Sequence, residues 1–220
     1  SWPSVIGSGC TRDLPERLWL NPHAAIGIPL LFGNKNMIVH TSAENFPWRN
    51  TALAVHLIRL LSVIFSAATV ALIYFLALEI QSPPPPLLRG NKGGIAALAA
   101  ALVAFNPMFI FISASVNNDS LAAMLATLIL WLLAQLLTRG ATTRRFIILG
   151  IVLGLAAITK VSDLGLVVVA GFVFIYLLRI ERAGERASGR EFSISRSPLL
   201  LRMFVSAALV IFIGAWWYAR

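Results

Sequence analysis

From Leu60 to Leu78 the chain carries no charged residue. A run of this kind is long enough to cross a bilayer, which takes about 20 residues of helix. In lipid the backbone must satisfy its own hydrogen bonds, so such a run folds as a helix. Apolar stretches recur at Gly94–Ser115, Ser120–Thr138, Phe146–Ile158, Leu164–Leu178 and Met203–Trp217. Only 12% of the 220 residues are charged and 58% are hydrophobic, whereas a soluble domain has about 25% charged residues. The expectation is an all-α fold, a polytopic transmembrane helical bundle with an extracytoplasmic N-terminal loop.

Composition shifts mark the boundaries. Residues 1–50 are rich in Pro, Gly, Asn and Trp and hold no spanning segment. They read as part of a large outer loop, and residues 51–220 as the membrane domain. The expected spans are about 52–79, 94–115, 120–138, 146–158, 164–178 and 203–217. Asn50 or Thr51 can cap the first helix, and the prolines Pro83–Pro86 end that region. Asn106-Pro107 should kink the second span. Phe146–Ile158 and Leu164–Leu178 are short and are separated by Thr159, Lys160, Val161, Ser162 and Asp163. They read either as short spans or as helices meeting at a polar break within protein. Ser1 follows no basic leader, and the sequence stops as a helix reaches Trp216-Trp217-Tyr218. The expectation is an internal piece of a longer protein.

Charge assigns the sides. Arg89, Lys92, Arg139, Arg144, Arg145 and the arginines from Arg179 to Arg202 fall in alternate loops, and the opposite short turns contain only Lys160. The positive-inside rule makes the arginine-rich loops cytoplasmic. Residues 1–50, the Asn117–Asp119 turn, the Lys160–Asp163 turn and Arg220 then share the outer face of a plasma membrane, the bacterial inner membrane. A net charge of +9 is loop charge of this kind and does not imply nucleic acid; the implied surroundings are membrane lipids. Cys10, the one cysteine, cannot form an intramolecular disulfide.

No Walker loop, HExxH, GxSxG or Rossmann fingerprint is present. Chemistry must come from polar residues that the topology gathers on one face, because ionisable groups near membrane depth are costly. Asp119 either caps a helix or holds a divalent cation or polar substrate. Lys160 either pairs with Asp163 or meets a phosphate. His56 and Arg59 share a helix face, as a headgroup-level pair or an anion site. His40, four residues before Glu44, belongs to the loop's own structure or to an acid–base or metal pair. Arg220 anchors at the interface or binds phosphate.

Several stretches together resemble the C-type membrane glycosyltransferases of the protein O-mannosyltransferase and aminoarabinose-transferase kind. They are Asn21-Pro22-His23, Gly33-Asn34-Lys35-Asn36 leading to His40, Ala54–Ser62 with His56 and Arg59, Phe105-Asn106-Pro107 with Asn117-Asn118-Asp119, Leu155–Lys160, and Gly214–Arg220. The resemblance implies an enzyme that moves a sugar from a polyprenyl-phosphate-linked donor to an acceptor on the outer face. It places the catalytic acid in the first outer loop, upstream of residue 1, so this stretch alone is expected to be inactive. It makes Asp119 a second acidic residue of the site and sets Lys160 and Arg220 near the carrier phosphate; a divalent cation could assist. The alternative is a transporter or flippase of a lipid-linked or small anionic substrate. A non-catalytic scaffold would leave Asp119, Lys160 and Arg220 scattered.

Overall fold

The computed structural model describes residues 46–47, 50–81, 92–187 and 198–218. Two compact units divide the chain at Ile58 and Arg59. The described part of the first is Phe46, Pro47 and the opening turns of a long helix, α1, Asn50–Ile80. The second unit continues α1 and adds α2 (Lys92–Ala104), α3 (Pro107–Ala114), α4 (Asp119–Thr138), α5 (Thr143–Thr159), α6 (Leu164–Ala187) and α7 (Pro198–Tyr218). A single 3₁₀ turn, Val161–Asp163, separates α5 from α6. Among the described residues there is no strand, and the all-α, polytopic expectation holds.

Leu53–Ile80, Asp119–Thr138 and Val161–Gly184 are each long and apolar enough to cross a membrane. α2 and α3 qualify together, bent by 62° at their junction. The bend follows from Asn106-Pro107. The Asn106 Oδ1 accepts from the backbone N–H of Met108 at 2.9 Å and of Phe109 at 3.3 Å, and Pro107 takes the first helical position, which needs no N–H donor. The apolar stretch Leu164–Leu178 grows into the 24-residue α6. Phe146–Ile158 becomes the 17-residue α5, about 25 Å long at 1.5 Å per residue.

The core lies where α4, α5, α6 and α7 meet. Leu125, Ile129, Leu132 and Leu136 form one stripe of α4; Phe146, Leu149, Leu153 and Ala156 form one stripe of α5. Each stripe repeats at helical spacing. Phe146 stacks on Phe174 of α6 with ring centroids 5.2 Å apart. The closest helix approach is α5 on α7. A Cβ on Gly150 would sit 2.8 Å from the Ser206 carbonyl oxygen, and one on Gly154 would sit 2.8 Å from Ile213 Cβ. Gly150-x-x-x-Gly154 is the small-residue spacing that lets membrane helices touch backbone to backbone.

These contacts also set direction. Gly150 meets Ser206 and Gly154 meets Ile213, so α5 and α7 run parallel, and the C-terminal end of α7 lies at the same end of the bundle as Thr159. Phe75 packs on Trp131, with centroids 6.0 Å apart, and Glu79 bonds Arg139. α1 and α4 are therefore parallel as well.

Outward-facing side chains are apolar. Phe172, Phe204 and Phe212 are each more than two-thirds exposed, a surface suited to lipid rather than water. Two threonine hydroxyls bond back to their own helix: Thr69 Oγ1 donates to Phe65 O at 2.9 Å and Thr127 Oγ1 to Ala123 O at 2.8 Å. That satisfies them without a solvent partner.

Candidate functional site at the Asp119 end of the bundle

The turn from α3 into α4 is built by side chains standing in for missing backbone bonds. Ser115 Oγ donates to Ile112 O at 2.8 Å, and Asn117 Nδ2 donates to Ser115 Oγ at 2.8 Å. Asn117 Oδ1 in turn accepts from the Asp119 N–H at 3.2 Å. Asn118 occupies the cap position of α4, yet its side chain makes no bond to that helix. Its Nδ2 reaches across and donates to Thr159 O at 2.8 Å, satisfying one of the carbonyls left free at the end of α5. Asp119 is thus the first residue of α4 rather than its cap.

Lys160 is the C-cap of α5. Its Nζ donates to Asp119 Oδ1 at 2.6 Å. The pair joins a carboxylate at a helix N-terminus to an ammonium at a helix C-terminus, so each charge also suits its own helix dipole. Of the acids near Lys160, the ammonium bonds the one distant in sequence, Asp119, rather than Asp163 three residues on. The Asp119 carboxylate, as hydrogen-bond acceptor and as charge, raises the Lys160 pKa above the usual lysine value. Both side chains remain accessible, at 45% for Lys160 and 37% for Asp119. Lys160 keeps two of its three donors for another partner.

Asp163 stands on the 3₁₀ turn, its N–H bonded to Lys160 O at 3.0 Å. Ser162 Oγ lies 3.5 Å from its Oδ1, and its Oδ2 is buried with no hydrogen-bond partner. Sequence reasoning treated Asp163 only as a partner or cap; its place in the turn beside Lys160 follows from the extended backbone of Lys160, which no local pattern shows.

Of the other sequence candidates, Arg59 lies as far before Glu79 in α1 as Asp119 lies before Arg139 in α4, and the two helices are parallel. Arg59 therefore sits toward the Asp119 end, exposed. His56 is one turn earlier on α1 and half-buried. His40 and Arg220 lie outside the described residues. A resident divalent cation does not fit what is described: no group of three or more His, Cys, Asp and Glu gathers among the described residues, and Asp119 already holds an ammonium.

At the opposite end of the bundle stands a residue the sequence reading passed over. Glu79, only 3% exposed, takes a two-pronged bond from Arg139, with Nε to Oε1 at 2.8 Å and Nη2 to Oε2 at 2.6 Å, and accepts a further bond from Thr138 Oγ1. The signal available was a single acid at the end of the uncharged run Leu60–Leu78.

The family model for dolichyl-phosphate-mannose-protein mannosyltransferase matches residues 54–217. The chain belongs to this family. The matched stretch contains Asp119, Lys160, His56 and Arg59 and leaves out His40 and Arg220. Membership makes this a multi-pass membrane protein of the C-type glycosyltransferase class. No curated protein and no solved structure matches the chain.

Proposed function

We propose that this chain is part of a glycosyltransferase that takes a sugar from a polyprenyl-phosphate-linked donor and passes it to an acceptor at the outer face of the plasma membrane, the inner membrane of a bacterium. The observation that carries this reading is the Asp119–Lys160 pair, formed at one end of the bundle from residues 41 apart in sequence. Sugar transfer from a lipid phosphate requires charge stabilisation on the departing phosphate and polar groups to hold the sugar or acceptor. Lys160, accessible and with two free donors, supplies the first. Asp119 supplies a hydrogen-bond acceptor for hydroxyl groups beside it. None of these residues is assigned as the general base. Arg59, His56, Arg220 and His40 complete the set of groups assigned to substrate.

The arrangement also suggests an order of events. Lys160 is bonded to Asp119. A donor phosphate competes for the ammonium, and the Asp119 carboxylate then becomes free to accept from a sugar hydroxyl.

The full-length chain in membranes, supplied with radiolabelled polyprenyl-phosphate sugars, tests the reading. Asp119→Asn and Lys160→Ala are compared with wild type at matched expression. Loss of transfer by about 100-fold in Lys160→Ala, the scale of removing one preorganised charge stabiliser, is the expected result, with a clear loss in Asp119→Asn. Transfer unchanged in both would return the pair to a purely structural role. No transfer by wild type with any sugar would move the chain toward carriage of a lipid-linked substrate.

A further inference from the structure

Where α4 gives way to α5, the loop Gly140–Thr142 is held by arginines. Arg145 Nη1 donates to Gly140 O at 2.6 Å. Arg202, reaching from the first turns of α7, donates to Ala141 O. Consecutive carbonyls therefore hold two guanidinium groups from two helices side by side. Arg144, next to Arg145 in the first turn of α5, is exposed. Arg139 borders the same loop, but its charge is met by Glu79. Arg145 also feels the Glu79 carboxylate through space, but that carboxylate spends both oxygens on Arg139.

Three like charges this close repel one another. The local sequence does nothing to relieve them: α5 has no acid in its first turn, and Thr142 makes no side-chain capping bond. The positive end of the α5 dipole adds to the same field. Positive charge that Glu79 relieves only in part, at a fixed place, calls for an anion. Its surroundings indicate which kind. Ile147 on α5 and Leu201 and Phe204 on α7, within a turn of the arginines, are exposed, Phe204 at 71%. A ligand here meets positive charge at the helix ends and apolar side chains immediately alongside.

We infer that Arg144, Arg145 and Arg202 bind the phosphate of an anionic phospholipid, whose acyl chains lie against Ile147, Leu201 and Phe204. Each guanidinium spends one donor on the loop at most and keeps others for phosphate oxygens. The lipid thereby ties α5 to α7 at the end opposite Asp119. The site is independent of the sugar-transfer reading.

Native mass spectrometry of the full chain in detergent, with equal amounts of phosphatidylglycerol and phosphatidylcholine, tests this. Wild type should retain phosphatidylglycerol preferentially. Each arginine should contribute about fivefold, so Arg144→Gln should lower the preference about fivefold and the triple Gln variant should abolish it. Arg144→Gln keeps both carbonyl bonds, so its result stands even if the triple variant fails to fold. Equal retention of the two lipids, or an unchanged preference in Arg144→Gln, would overturn the inference. So would inorganic phosphate binding to wild type as tightly as the lipid, since the ligand would then be a soluble anion.

Discussion

Asp119 and Lys160 show how much a single contact depends on two separate helix ends. Each charge is favoured where it stands by its own helix, and the pair forms because α4 starts where α5 stops. The pairing has a pH signature. Lys160 has its pKa raised by Asp119, so the folded state holds the proton more tightly than the unfolded chain, whose lysines titrate near 10.4. The stabilisation is fully present below that value and is lost as pH rises through the higher folded value. Melting temperatures of wild type and Lys160→Met in detergent, measured from neutral to strongly alkaline pH, should therefore differ by a small constant amount up to about pH 10 and converge above it. The gap is small because both groups are exposed, and added salt should narrow it. A gap that widens with alkalinity would mean that Lys160 is not held by a carboxylate.

Helices carry the next level, and there the sequence was legible in part. The bend at Asn106-Pro107 was readable because capping and ring chemistry are local. The break around Lys160 was readable because polar residues interrupt an apolar run. The length of α6 was not, since its last turns are charged and hydropathy alone ends it at Leu178. The pairing of α5 with α7 was not read either, although Gly150 and Gly154 announce a close approach; spacing shows that a helix will touch another, not which one. This contact yields a prediction with opposite signs at two glycines. Gly150→Ala places a methyl group 2.8 Å from a backbone oxygen of Ser206, so the helices must part, at a cost of about 1–3 kcal/mol. Gly171→Ala on α6 meets nothing within 4 Å and should gain up to about 1 kcal/mol from better helix propensity. Thermal unfolding in detergent distinguishes them; destabilisation by both would remove the packing explanation.

At the scale of the bundle the two ends differ, and an ion pair stands at each. The Glu79–Arg139 pair joins α1 to α4 through a carboxylate that is 3% exposed and bonded through both oxygens. The Asp119–Lys160 pair joins α4 to α5 through one bond between two accessible groups. Arg139 itself is 59% exposed, so removing it leaves the buried Glu79 carboxylate with only the Thr138 hydroxyl, whereas breaking a pair exposed on both sides returns both groups to water. The ends should therefore respond differently to the same chemical change. Arg139→Gln should lower the melting temperature clearly more than Lys160→Gln, because it strands Glu79. The folded fraction of Arg139→Gln should keep its sugar transfer, while Lys160→Gln should remain folded and lose it. Restoring neutrality with Glu79→Gln in the Arg139→Gln background should recover much of the lost stability, since no buried charge then remains. Charge in this bundle would thus do two jobs in two places: at the Glu79 end a buried carboxylate holds helices together, and at the Asp119 end both charges are left accessible for a substrate. If Arg139→Gln proved the stable variant and the one that lost transfer, that division would be reversed, and the site would have to be sought at the Glu79 end.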